Sequence, residues 1–264
     1  MTPDQVDDAA RRLGAGRLEG AVLGALPESC RPTNEVQAYA IQDRLHQRLT
    51  AAGLGEITGH KIGCTTEVMQ AFLGIDNPCA GAVFAPTARD REGRFRHGNF
   101  RHVGVECEIA ARLGRDLTPA EAPFTADSVA DAVTAVMAAI EVVDDRYDDY
   151  GALGAPTLIA DDFFGAGCVL GAPVDDWRAL DLPSAAGWMT INGVEVGRGK
   201  GGDIMGHPLA ALAWLADSFA RRGRTLVAGE FVLLGSVVET KWVAAGDAVT
   251  IEIDGLGQAR ASFG

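Results

Sequence analysis

A formal net charge of −13 over 264 residues excludes a protein that works mainly on nucleic acid or on an anionic membrane surface, because no basic patch dominates such a field. With 47% hydrophobic and 22% charged residues, the chain has the composition of a globular protein with a sizeable core. The five cysteines are odd in number and none stands in a CxxC pair, which points away from a zinc cluster and toward reduced thiols in a cytoplasmic protein. No window approaches the roughly 18 consecutive apolar residues of a membrane-spanning helix, and the polar start, MTPDQVDDAARRL, lacks the apolar region of a secretory signal.

Residues 2–13 fit a short amphipathic helix with Val6, Ala9, Ala10 and Leu13 on one side, and the Gly and Pro residues of 14–32 are expected to break it. Asn34 is placed to cap a second helix, with Gln37 three residues later. Ala38, Ile41, Leu45 and Leu49 form its apolar stripe, and Gly53 and Gly55 close it. Residues 56–63 (EITGHKIG) read as a strand. Alternation puts Ile57, Gly59, Lys61 and Gly63 on one face, so a ligand can approach the Lys61 ammonium past glycines, while His60 points the other way. A lysine buried beside a cation or an apolar wall has a lowered pKa and can act as a base; a surface lysine would merely protect an edge strand. A short helix at 67–73 and a Pro/Gly-rich loop at 74–86 carrying Cys79 follow, and the Arg-rich 87–100 reads as an exposed excursion or hairpin.

The next stretch, HVGVECEIAARLG at 102–114, has the most chemical content. As a strand it lines Val103, Val105, Cys107 and Ile109 on one face and sets Glu106 and Glu108 together on the other. Two adjacent carboxylates repel unless a positive charge lies between them, and a hard divalent cation with oxygen ligands answers that need. A half-buried strand with a solvated acidic face has the same pattern, so the pair alone does not decide. Residues 127–138 show helical spacing at Val129, Ala132, Val133, Val136 and Met137 and lead into a strand at 139–145. There Glu141 sits between Ile140 and Val142, where an unpaired buried carboxylate is costly, which makes it a candidate third ligand.

Asp161 and Asp162 are candidates to support the site or to cap a turn. Asn192-Gly193, inside 188–196, is a hairpin signal. Residues 197–206 (GRGKGGDIMG) offer backbone N–H groups beside Arg198 and Lys200, the makings of a flexible anion cradle. They form neither a P-loop nor a dinucleotide fingerprint, so nucleotide binding is rejected. His207 stands at an N-cap with Pro208 at the first helical position, and strands at 231–238, 248–253 and 259–263 close the chain. Helices and strands do not alternate regularly, which argues against a doubly wound sheet. The expectation is one α+β catalytic domain over 1–264, mainly helical through residue 55 and β-rich from 56 on.

Several segments in this order, AYAIQ at 38–42, GHKIGCTT at 59–66, VGVECEIAARLGRDL at 103–117, AAIEVVDDRY at 138–147, LIADD at 158–162 and GHPLAALAWLA at 206–216, resemble the hydratase/decarboxylase family of aromatic meta-cleavage pathways. That family, 2-keto-4-pentenoate hydratase-like, is a branch of the fumarylacetoacetate hydrolase superfamily. The resemblance implies mixed β-sheets rolled around a central metal site with flanking helices. It implies Mg2+ or Mn2+ held by three carboxylates, at positions matching Glu106, Glu108 and Glu141, with the family lysine at Lys61. The implied substrate is a small anionic 2-oxo acid that chelates through its C1 carboxylate and C2 oxygen. Lewis acidity then stabilises enolate charge, and Lys61 moves protons or stabilises that charge. Thr65, Thr66, Arg198, Lys200, His207 and Ser236 are the expected substrate contacts. A homo-oligomer, or an assembly with a sister hydratase or decarboxylase, is implied as well.

One departure matters. Hydratases of this family carry Pro-Asp-aromatic-Gly after the lysine strand, whereas residues 77–81 read Asn-Pro-Cys-Ala-Gly, so Cys79 replaces the Asp. A neutral thiol is a poor substitute for a carboxylate base. The resemblance therefore leaves open both hydration of a 2-hydroxydienoate and decarboxylation of a 4-oxalocrotonate-type acid. The cations at Arg198 and Lys200 lean toward a second substrate carboxylate. A C–C bond hydrolase would need a His/Glu pair to activate water, and an inactive partner subunit would need a broken metal site; both are less favoured.

Overall fold

The computed structural model describes the backbone of residues 1–264 and the side chains of all but Glu67, Val68 and Phe72. Helix α1 (Pro3–Glu19) starts at a Thr2 capping box and α2 (Glu35–Leu49) at Asn34, whose side chain accepts from the Gln37 N–H at 3.0 Å. Contrary to the expected break after residue 13, α1 runs on through Gly14 and Gly16. Both are buried contact points: a Cβ on Gly16 would lie 2.2 Å from Leu23, and one on Gly14 3.4 Å from Leu45. A π-helical turn, Thr50–Leu54, ends the helical opening at Gly55.

The remaining elements are β1 (Ile57–Gly63), α3 (Glu67–Leu73), β2 (Cys79–Phe84), β3 (Ala88–Asp90), β4 (Glu92–Phe95), β5 (Val103–Leu113), α4 (Ala126–Ala130), β6 (Val133–Asp144), α5 (Ala155–Ala160), β7 (Gly165–Leu170), β8 (Ala186–Ile191), β9 (Val194–Lys200), α6 (Pro208–Arg221), β10 (Phe231–Trp242), β11 (Ala248–Ile253) and β12 (Gly257–Phe263). They build two mixed sheets, one of seven strands in the order β2-β1-β10-β5-β6-β7-β3 and one of five in the order β4-β12-β11-β8-β9. The larger sheet is rolled: β2 packs against β7 although no ladder joins them.

Strand alternation then gives the larger sheet an inside and an outside. Val83, Ala110, Met137, Ala139, Leu170 and Leu233 form a small core of their own inside the roll. Val105, Cys107, Ile109, Ala138, Ile140 and Val142 point outward and join the main core, which includes Val249, Ile251, Ile253 and Phe263 of the smaller sheet.

Burial on both faces explains the main misreading of the chain. The helical spacing at 127–138 covers only a short helix, α4, and the strand β6 begins at Val133. A strand buried on both sides shows no period of two, so its apolar run cannot be told from a helix by spacing. Three other expectations also change. The loop expected at 74–86 contains the fully buried strand β2. The excursion at 87–100 is not a hairpin, because β3 and β4 belong to different sheets and each pairs in parallel, with β7 and β12. The flexible cradle at 197–206 is half strand: β9 continues to Lys200. Its glycines allow close approach, since a Cβ on Gly199 would fall 1.8 Å from the Val237 carbonyl oxygen. The hairpin turn at Asn192 and Gly193 forms as expected, with φ of 52° and 80°. Among the described residues, no helix is long and apolar enough to cross a membrane.

Candidate active site

The β5–β6 ladder sets Glu106 directly opposite Glu141, and Glu108 follows two residues along on the same inner face. One carboxylate oxygen from each of the three lies within 4.8 Å of the others. Glu108 and Glu141 are buried, and Glu106 is the member that solvent reaches in part. Lys61 sits on β1, separated from β5 by β10, yet the roll carries its Nζ to 2.9 Å from Glu141 Oε1. Lys61 Nζ also donates to the Phe163 carbonyl at 2.6 Å, its one hydrogen bond to protein among the described residues. Two further donors serve the carboxylates. The Gly235 N–H donates to Glu108 Oε2 at 3.0 Å and the Thr240 hydroxyl to Glu106 Oε1 at 2.5 Å. Gly235 has to be glycine: its φ is 126°, and a Cβ there would lie 2.6 Å from Thr65 Oγ1.

Three carboxylates thus face one ammonium, and the electrostatics show the shortfall. Burial and the Glu141 charge push Glu106 up to about 7, against the pull of Lys61 and Thr240. Burial, Glu141 and Glu106 push Glu108 well above the usual carboxylate range. Burial alone would lower the Lys61 pKa, but Glu141, Glu106 and Glu108 outweigh it and hold the ammonium above its ordinary value. With the three carboxylates alone as neighbours, Lys61 is held as an ammonium and a hydrogen-bond donor; a cation bound among them would oppose that shift. Glu108 Oε1 is buried with no hydrogen-bond partner among the described residues. Glu141 Oε1 touches the ammonium without a well-aligned hydrogen bond. Unsatisfied buried carboxylate oxygens converging on one point fit a hard divalent cation. A cavity of ≈ 170 Å³ reaches Lys61 and Glu141 through the seam between β2 and β7, with Arg17, Asn99, Asp144 and Arg146 also on its wall.

The fumarylacetoacetate (FAA) hydrolase C-terminal family matches residues 82–263, from β2 to the end of β12. The chain belongs to this family. It is 36% identical over 260 residues to the 2-keto-4-pentenoate hydratase of Paraburkholderia phymatum, with 98% of each chain covered. It is 30% identical over 226 residues to a 4-oxalocrotonate decarboxylase of Pseudomonas putida, covering 86% of this chain and 84% of that one. Among solved structures, the 4-oxalocrotonate decarboxylase from Pseudomonas putida G7 complexed with magnesium and adipate superposes with a TM-score of 0.93 at 26% identity, covering 100% of this chain and 98% of that one.

In this FAA hydrolase family member the other residues singled out from the sequence fall into separate groups. Thr65 is buried beside Gly235, next to the backbone that serves Glu108. Cys79 opens β2 opposite Gly63 and is fully buried. Contact with the Cys64 thiol, and then burial, pushes its thiol well above the ordinary range, so it is neutral and no base. The Ser236 hydroxyl donates to the Cys107 carbonyl at 3.1 Å and also bonds the Val238 carbonyl, which pins the irregular register between β10 and β5. Thr66 and His207 are N-caps, of α3 and α6; His207 Nδ1 accepts from the Leu209 N–H at 3.0 Å. Gly197 and Gly199 face β10, so alternation turns Arg198 and Lys200 away from the roll. Arg198 is exposed, paired with Glu195 and lying over Trp188. The partners that sequence reasoning missed are Thr240, the Gly235 N–H and the Phe163 carbonyl. Nothing local marks them, because each meets the site only through strand pairing or the roll.

Proposed function

We propose that this protein is a divalent-metal-dependent lyase of 2-hydroxydienoate and 2-oxo acids, acting as a 2-keto-4-pentenoate hydratase. The observation that carries the proposal is the set of three converging carboxylates on adjacent strands opposed by a single lysine. The hydratase relatives at 36% identity over nearly the whole chain support it. Glu106, Glu108 and Glu141 would hold Mg2+ or Mn2+, which supplies Lewis acidity toward a substrate that chelates through a carboxylate and a 2-oxo group. Lys61, ion-paired with Glu141 and held by the Phe163 carbonyl, keeps N–H groups free for the substrate oxygen where negative charge develops, and supplies electrostatic stabilisation there. Water adds across the conjugated double bond and yields a 4-hydroxy-2-oxo acid.

A second reading has its own observation. The buried, neutral Cys79 offers no carboxylate for handling water, which favours decarboxylation of a 4-oxalocrotonate-type acid on the same scaffold. Purified protein incubated with 2-hydroxypenta-2,4-dienoate and, separately, with 4-oxalocrotonate, in Mg2+ or Mn2+, separates the two. The hydratase proposal expects a 4-hydroxy-2-oxo acid from the first substrate and no turnover after chelation. Release of CO2 from the second substrate alone would transfer the assignment to the decarboxylase. Turnover that survives chelation would overturn both.

A further inference from the structure

Between α5 and β7, three consecutive non-glycine residues hold left-handed backbone angles: Asp162, Phe163 and Phe164, with φ of 56°, 47° and 65°. L-residues avoid that region, and a run of three persists where the surroundings over-determine it. Here they do. Asp162 Oδ1 lies 2.6 Å from His46 Nε2 and accepts from the Ala82 N–H at 3.1 Å, and Arg17 lies 3.3 Å from Oδ2. Asp161 accepts from Arg17 Nε at 2.7 Å, from the Arg146 guanidinium at 2.9 Å and from the Tyr147 hydroxyl at 2.7 Å. Arg146 also donates to the Phe164 and Gly165 carbonyls at 3.5 and 3.2 Å, and Arg17 to the Asp161 carbonyl at 2.5 Å. Both aspartates are completely buried. Two glycines leave room for the turn: a Cβ on Gly81 or on Gly165 would lie 3.0 Å from the Asp162 carbonyl oxygen.

This apparatus delivers one atom to the candidate site, the Phe163 carbonyl oxygen, which accepts from Lys61 Nζ at 2.6 Å. An ammonium ion-paired with Glu141 alone can turn about its own axis and drift among three carboxylates. One that also donates to a carbonyl in a rigid turn has its rotation fixed, and with it the directions of its other N–H groups. We propose that the buried cluster of Arg17, His46, Arg146, Tyr147, Asp161 and Asp162 is a positioning device, which clamps the left-handed turn so that the Phe163 carbonyl fixes the aim of Lys61. Arg17 comes from α1 and His46 from α2, so the N-terminal helices, which hold none of the three carboxylates, gain a part in the chemistry. The inference rests on the proposed role of Lys61.

Two mild variants test it in the full-length protein. Tyr147→Phe removes one donor to Asp161 and keeps the ring; Arg17→Lys keeps the charge and loses the two-pronged contact. With Mn2+ and 2-hydroxypenta-2,4-dienoate, kcat is expected to fall about 3-fold and about 30-fold respectively. KM and Mn2+ affinity, the latter followed by titration calorimetry, stay within twofold, with thermal melts confirming the fold. A second readout does not depend on turnover. In 15N-lysine-labelled protein, the buried Lys61 ammonium is expected to give a resolved NMR signal, identified by its loss in Lys61→Met. That signal should broaden in Arg17→Lys. Unchanged kcat with an unchanged ammonium signal overturns the clamp, and a raised KM at constant kcat would make Arg17 a direct substrate contact instead. Should the wild type turn over neither substrate, the functional reading fails, and the ammonium signal alone decides the clamp.

Discussion

Two clusters of buried acid lie on either side of Lys61, and they are built on opposite principles. Asp161 and Asp162 meet two guanidiniums, an imidazole, a tyrosine hydroxyl and a backbone N–H. Burial pushes both aspartates up, but Arg146 and Arg17 at Asp161, and His46 and Arg17 at Asp162, win and hold both below the usual carboxylate range. Glu106, Glu108 and Glu141 meet one ammonium, and burial with mutual repulsion pushes Glu106 and Glu108 up. A cluster that balances its own charge is architecture. One that stays short of positive charge at a reachable point has a site's chemistry, because folding alone would select against it.

The contrast breaks most sharply at Glu108. Glu108→Gln removes a candidate ligand and a repelling buried charge at once. Turnover in Mn2+ is expected to drop by roughly three orders of magnitude, while the protein in chelator melts at a higher temperature than the wild type. Steady-state assays and thermal melts on the same preparation read both. A lower melting temperature in chelator would mean that the triad is balanced after all. Asp161→Asn should go the other way. It leaves Arg17 and Arg146 facing an amide, and breaking one side of a buried pair costs about 3–5 kcal/mol, read by denaturant unfolding.

These two clusters were not equally visible in the chain. Strand alternation placed Glu106 and Glu108 together, and the apolar run around Glu141 made that carboxylate conspicuous, so the acidic triad needed little more than local pattern and family resemblance. The balanced cluster has no local signature. Arg17 and Asp161 stand 144 residues apart and meet only when α1, α2 and α5 pack together. Asp161 and Asp162 were legible as supporting residues; what they support was not. The strand β6 was hidden by its own burial, since Val133–Asp144 is buried toward both the roll and the main core and, apart from Thr134, Glu141 and Asp144, is apolar. Glycine misled in the other direction. In 197–206 it suggested a mobile anion site around Arg198 and Lys200, where the fold uses it to bring β9 against β10.

Acid separates the clusters by sign. The folded-state pKa values of Asp161 and Asp162 are lowered, so the stability they contribute is complete above the unfolded-state value of about 3.9 and is lost as pH falls through the folded values. The difference in unfolding free energy between wild type and Asp161→Asn is therefore expected to stay level from about pH 7 to pH 5 and to shrink below about pH 4. A difference that grows on acidification would show that the aspartate is not the compensated partner of the two arginines.

The smallest expected effect probes which kind of cluster Glu106 belongs to. Thr240 donates to Glu106 Oε1 at 2.5 Å, and this bond works against burial by favouring the charged carboxylate. Valine has nearly the shape of threonine and no donor. If Glu106 is a ligand, the lost hydrogen bond frees the carboxylate to rotate and favours its protonated form, which competes with the cation, and Thr240→Val should lower Mn2+ affinity about 10-fold, about 1.4 kcal/mol. The melt in chelator should then barely move, because in the absence of a cation the bond stabilises a charge the fold would rather neutralise. If Glu106 were structural like Asp161, the loss would appear in the chelator melt and leave the titration with Mn2+ unchanged. One hydroxyl thus distinguishes a carboxylate held for the fold from one held for a ligand.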